Sequence, residues 1–144
     1  MDYDFVKKCH TDVYSLAGMF PLFFNIATEE QAKSCAQVIQ EKFLRPGGVV
    51  TTTLHSGQQW DAPNGWAPLQ WITIQGLKNY GFDDLADDIK NRWINLNTKV
   101  FRNTGKMLEK YNVENMDLLS GGGEYPVQDG FGWTNGVLLR LLQG

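Results

Sequence analysis

The sequence predicts an all-α fold assembled from helical hairpins. Three observations carry that reading. Leu85, Ile89, Trp93, Leu96 and Val100 recur at three- and four-residue spacing, which lays one apolar stripe along a helix. Ala32, Cys35, Ala36, Ile39 and Phe43 do the same in an earlier segment. Gly81 stands where one helix closes, and Asp83 or Asp84 opens the next, so those two helices must fold back on each other.

Taken in order, residues 2–26 read as a weakly amphipathic helix interrupted at "GMFP", where Gly18 and Pro21 fall. Thr28 then fits an N-cap, and "TEEQ" has the capping-box form with Gln31 three residues on. The helix it starts runs from about Glu29 to Leu44 and stops at "RPGG" (45–48). Residues 49–65 form an irregular connection with a short extended piece. The next helices run from about Ala67 to Tyr80 and from Asp83 or Asp84 to about Asn103. "KMLEKY" predicts one short helical turn. A glycine-rich connection follows, and Thr134 is placed to cap a last helix, "NGVLLRLLQ". The connections at 45–66 and 111–133 exceed the length of about 12–15 residues beyond which structureless loops in compact domains are usually functional.

The chain has 144 residues, which predicts a single domain over 1–144. Such a length buries roughly 70% of its unfolded surface. Hydrophobic residues make up 42% and charged residues 20%, which excludes a disordered chain. A net charge of −3 and a pI near 5.3 exclude non-specific nucleic-acid binding, which needs a basic footprint. No window approaches the ~18 apolar residues of a membrane span. Acidic residues follow Met1 where a leader would carry basic ones, so no signal peptide is expected. Cys9 and Cys35 are too few for a disulfide scaffold and read as buried thiols on helices. His10 and His55 have no ligands at metal spacing, so neither a metal nor a cofactor is expected.

The chemistry concentrates in the two long connections. "SGQQWDAPNGWAPLQW" (56–71) holds three Trp, three Gln and an Asp, with Pro63, Gly65 and Pro68 keeping it irregular. Flat aromatic faces suit the C–H patches of a sugar, and amides and carboxylates suit its hydroxyls. "SGGGEYPVQDGFGW" (120–133) lacks the Lys-Ser/Thr ending and preceding strand of a phosphate loop. Its glycines allow close backbone approach, among Glu124, Tyr125, Gln128, Asp129, Phe131 and Trp133. Glycoside hydrolysis needs two carboxylates, and Asp61, Glu109 and Glu124 are the candidates. Taken alone, each would be an ordinary surface acid, and Lys110 beside Glu109 an ordinary surface charge. Trp66, Trp71 and Trp93 are weighed as core side chains.

"QWDAPNGWAP" (59–68) resembles a signature of the trehalases, glycoside hydrolase family 37, and "PGGVVTTTLHSGQQWDAPNGWAPLQW" extends the match. "LEKYNV" (108–113) and "GGGEYPVQDGFGWTNGV" (121–137) resemble the next two blocks of that family, in order. The resemblance implies part of an (α/α)6 barrel. It implies inverting hydrolysis of α,α-trehalose to two glucose molecules, without cofactor or metal. It assigns Glu109 as general base, and Gln59, Trp60, Asp61, Glu124, Phe131 and Trp133 to the sugar. The family's earlier signature, "PGGRF" leading to "YWD", is absent, and the general acid and sugar-gripping arginines belong to that region. Asp2, Asp4 and Asp12 match no motif around that acid. The expectation is therefore the C-terminal portion of a trehalase, roughly a quarter to a third of the whole, inactive alone. Its partners would be a complementary N-terminal half or further copies of itself. The alternative is a non-catalytic sugar-binding fragment. Bacterial members of the family imply a soluble protein of the cytoplasm or periplasm.

Overall fold

The computed structural model describes residues 3–119 and 125–143. Five α-helices are described: α1 (Phe20–Phe23), α2 (Glu29–Val38), α3 (Ala67–Asn79), α4 (Asp83–Thr104) and α5 (Gly132–Leu142). Three short antiparallel strand pairs are described as well, the first of them ahead of α1.

The N-terminal segment is not the helix that its spacing predicts. Tyr3–Asp4 (β1) pairs with Cys9–His10 (β2), a 3-10 turn covers Leu16–Met19, and α1 begins only at Phe20. The Asp4 carboxylate accepts from Val6 N–H and Lys7 N–H at 2.9 Å each, which closes a turn and competes with helical bonding. Leu16 N–H donates to Thr51 O at 2.9 Å and ties the segment to a distant loop. Cys9 is exposed on β2, not buried on a helix, and Cys35 is half-buried. Burial raises the Cys35 thiol above its ordinary pKa, against a smaller lowering by the N-terminal charge.

Helix α2 starts as the sequence predicts. Thr28 Oγ1 accepts from Gln31 N–H at 3.2 Å, and Gln31 Oε1 accepts from Thr28 N–H at 2.9 Å, completing the capping box. The helix widens into a π-turn at Ile39–Phe43, then passes into the tight pair Leu44–Arg45 (β3) and Gly48–Val49 (β4). A side chain at Gly47 would stand 2.6 Å from Leu96 Cδ2 and 3.0 Å from Val113 Cα, so only glycine lets this turn sit against α4. Val49 is then fixed by a side chain. Gln70 of α3 is fully buried, accepts from Val49 N–H at 3.0 Å and donates to Val49 O at 2.7 Å.

α3 and α4 are the predicted hairpin. Gly81, at φ 75°, turns the chain between them. Ile74 and Leu77 of α3 join Ile89, Trp93 and Leu96 of α4 in one buried core. Trp93 is a core side chain, as its helix stripe predicts, and Trp71 packs partly buried against the same core. α1 packs on α3 at Gly76, where Asn79 Nδ2 donates to Leu22 O and Phe23 O.

"KMLEKY" is not helical. Gly105, at φ 70°, ends α4, and Lys110–Asn112 (β6) pairs antiparallel with Asn64–Trp66 (β5). The register is Asn64 with Asn112, Gly65 with Tyr111 and Trp66 with Lys110. Cross-strand partners and burial override the helical preference of Lys, Met, Leu and Glu here. Thr134 is not the cap of α5 either. Phe131 holds that position, and the buried Thr134 hydroxyl donates to Leu108 O at 2.7 Å.

Candidate active site

The β5–β6 pair joins the two long connections that carry the unusual residues. Glu109 lies immediately before β6 and its side chain is only 1% exposed. Its backbone is pinned on both sides. Its N–H donates to Gln128 O at 3.0 Å, and its carbonyl accepts from Trp133 Nε1 at 3.2 Å. Leu108 N–H, one residue earlier, donates to the Tyr111 hydroxyl at 2.9 Å. Burial pushes the Tyr111 phenol up, against the lowering effect of that hydrogen bond.

Among the described residues the carboxylate has two side-chain partners. Lys110 Nζ donates to Oε1 at 2.5 Å, and the Tyr125 hydroxyl donates to Oε2 at 3.2 Å. Lys110 is fully buried, which corrects its reading as a surface charge. Its ammonium lies 4.8 Å from the Tyr125 ring centre and 5.5 Å from that of Trp66. Both rings offer it a negative face.

An aromatic wall stands beside this pair. Trp60 and Trp66 stack at 3.8 Å with planes 5° apart. Trp133 meets Trp66 edge-on at 5.6 Å, and Phe131 leans on Trp133 at 4.9 Å. Trp66 is buried behind the others, whereas Trp60 is 45% and Trp133 37% exposed. The wall therefore presents open ring faces next to a buried carboxylate, which suits a ligand carrying both C–H faces and hydroxyls.

The remaining candidates sit behind that wall or outside it. The Gln59 carbonyl accepts from Trp66 Nε1 at 3.0 Å and Asn64 Nδ2 at 3.2 Å, so it braces the stack. Its side-chain Oε1 is buried without a hydrogen-bond partner among the described residues. Asp61 accepts from Thr52 Oγ1 at 2.6 Å and from Ser56 Oγ, which holds the loop in shape. Glu124 lies outside the described residues. The structure thus gathers Glu109, Trp60, Phe131 and Trp133 at one place and adds Lys110, Tyr125 and Trp66 to them. Lys110 and Tyr125 were legible only as the neighbours of Glu109 and Glu124 in their motifs. Among the described residues no group of three or more His, Cys, Asp or Glu could hold a metal ion. An apolar cavity of about 230 Å³, lined by Tyr14, Met19, Cys35, Val38 and Phe43, contains none of these residues.

Comparison with known proteins shows the family. The trehalase family model matches residues 1–144. The chain belongs to the trehalase family. It is 49% identical to a periplasmic trehalase of Pseudomonas aeruginosa over 99% of this chain and 26% of that protein. It is 48% identical to a periplasmic trehalase of Salmonella newport over 98% of this chain and 25% of that protein. The chain thus spans about a quarter of the length of the curated trehalases it matches. A neutral trehalase structure from Saccharomyces cerevisiae superimposes with a TM-score of 0.83 at 31% identity, over 99% of this chain and 26% of that one. A family 63 mannosylglycerate hydrolase of Thermus thermophilus superimposes with a TM-score of 0.69 at 23% identity, over 98% and 34%, and bears on the fold alone. The helical hairpins are part of an (α/α)6 barrel, as the trehalase resemblance implies. Among the described residues no helix is long and apolar enough to cross a membrane.

Proposed function

We propose that this chain carries the general-base half of a site that hydrolyses α,α-trehalose to two glucose molecules with inversion. The observation that carries the reading is the Glu109 carboxylate, buried between Lys110 and Tyr125 beside the open faces of Trp60 and Trp133. Glu109 takes one proton from a water. The water oxygen bonds to the anomeric carbon from the face opposite the leaving glucose, and the glycosidic C–O bond breaks. A carboxylic acid outside these residues protonates the departing oxygen, about 6.5–9.5 Å from the base so that the water fits between them. Trp60, Phe131 and Trp133 hold the ring faces, and Glu124 contacts hydroxyls. Gln59 and Asp61 shape the wall. The whole chain acts as one unit of the larger catalytic domain, and its macromolecular partner is the polypeptide that supplies the acid. The names of the bacterial relatives support a periplasmic setting.

Glucose release from trehalose tests this. It is measured with the chain alone, and with the Pseudomonas aeruginosa trehalase in which this chain replaces the matching quarter. The chain alone should release none. The chimera should turn over, and Glu109→Gln should lower its rate about 10²–10⁴-fold. A Glu109→Gln chimera as active as its parent would remove Glu109 from the mechanism. Trehalose binding without turnover by the unmutated chimera would favour the sugar-binding alternative.

A further inference from the structure

We propose that Lys110 is the positioning residue for Glu109: its ammonium occupies Oε1, so that Oε2 is the oxygen offered to water. This rests on Glu109 being the base. Successive side chains on extended backbone ordinarily point to opposite faces. Here Lys110 nevertheless reaches Oε1 of its immediate neighbour, at 2.5 Å, from a fully buried position. Stability does not account for the pair. Burying both ions costs several kcal/mol each, and apolar residues of similar volume often replace such pairs without loss. Burial beside Trp66 and Tyr125 could be achieved by an uncharged side chain. What only a cation adds is a short, charge-assisted hydrogen bond to one chosen oxygen.

The two carboxylate oxygens are thereby made unequal. Oε1 is committed to Lys110. Oε2 has the longer contact, 3.2 Å to the Tyr125 hydroxyl, and Tyr125 is 37% exposed. Oε2 is therefore the less tightly held oxygen, and it stands beside the half-exposed Tyr125. The Glu109 N–H and carbonyl are already held by Gln128 and Trp133, so the remaining freedom lies in the side-chain torsions, and the Lys110 contact restricts them.

The test uses the active chimera. Lys110→Met keeps length and removes charge. It should lower kcat about 10²-fold, the scale of a small misplacement of a reacting group, with KM within about twofold. In a Glu109→Gln background, Lys110→Met should cause no further loss, because the lysine acts through the glutamate. Lys110→Ala should regain activity with added propylammonium and not with propanol. A folded Lys110→Met enzyme with parental kcat, or one altered in KM alone, would overturn the proposal. So would equal rescue by alcohol and amine. If the variants fail to fold, lysine-¹⁵N NMR of the unmutated chain decides. A slowly exchanging ammonium signal that moves on Glu109→Gln is expected, and no such signal would overturn the contact. An active Glu109→Gln chimera sinks the base assignment. A fully active Lys110→Met beside an inactive Glu109→Gln sinks only the lysine's role.

Discussion

Gln70→Met is the most discriminating probe of how the site loop is held. Gln70 is fully buried, and its amide bonds both the N–H and the carbonyl of Val49, at 3.0 and 2.7 Å. Methionine fills nearly the same volume but offers Val49 nothing. Two buried backbone groups would then lack partners, at about 1–3 kcal/mol each. The expected loss is about 2–6 kcal/mol, a large share of the roughly 5–15 kcal/mol that stabilises a typical domain. Urea unfolding, followed by tryptophan fluorescence, measures it. The midpoint should fall with the m-value unchanged, since the folded surface is the same. Gln70→Glu sharpens the test. A protonated carboxyl can still accept from Val49 N–H and donate to Val49 O, whereas the ionised form cannot donate. Burial without a cation raises the pKa of such a group in the folded state. The variant should therefore approach the parent at low pH and fall away from it as pH rises. A Gln70→Met loss under about 0.5 kcal/mol, within the usual range for surface substitutions, would refute the reasoning.

Two further outcomes are expected. Thr28→Ala breaks the capping box of α2 and should cost about 1 kcal/mol, lowering Tm by roughly 2–4 °C in a chain of this size; an unchanged melting curve would show that the box contributes nothing. Glu114 is bonded by His55 at 2.9 Å and Arg45 at 3.0 Å. Burial alone would push its carboxyl up, but the hydrogen bonds and charges of His55 and Arg45 outweigh that and hold it below the ordinary range. A lowered folded pKa means stability that is present above the unfolded value of about 4.3 and lost as pH falls through the folded one. The stability difference between parent and Glu114→Gln should shrink below about pH 4; a difference independent of pH would remove the linkage.

The helices that were legible in the sequence are those whose side chains alone decide them. The stripe from Leu85 to Val100 and the capping box at Thr28 are local patterns, and the structure follows both. The misread segments are those decided by distant partners. Residues 2–26 read as one interrupted helix, yet the Asp4 turn, the Ser15–Thr52 bridge and the Leu16–Thr51 hydrogen bond claim the backbone up to Leu16, and helix begins only there. "KMLEKY" has helix-forming composition, yet Trp66 and Gln128 claim its backbone. Thr134 has capping chemistry, but Leu108 O reaches it first. In the site, Trp60, Glu109 and Trp133 were legible through their motifs. Lys110 was not, because nothing local distinguishes a buried lysine from a solvated one. Gln70, which no motif singled out, braces Val49 from a distance in the chain that no local pattern shows.

The pairing of Gly65 with Tyr111 has a consequence for the order in which the molecule is made. The two residues are far apart in the chain, and joining them from a random coil would carry the entropy of a long loop. α3 and α4 run out and back between them, so once that hairpin exists the strands are delivered to each other with only short ends left to close. Helical hairpins form through local contacts, faster than distant strands pair. The expected sequence is hairpin first, rung second and the Glu109 carboxylate last. A substitution that weakens the α3–α4 contact would therefore delay the arrival of the site long before it altered its shape.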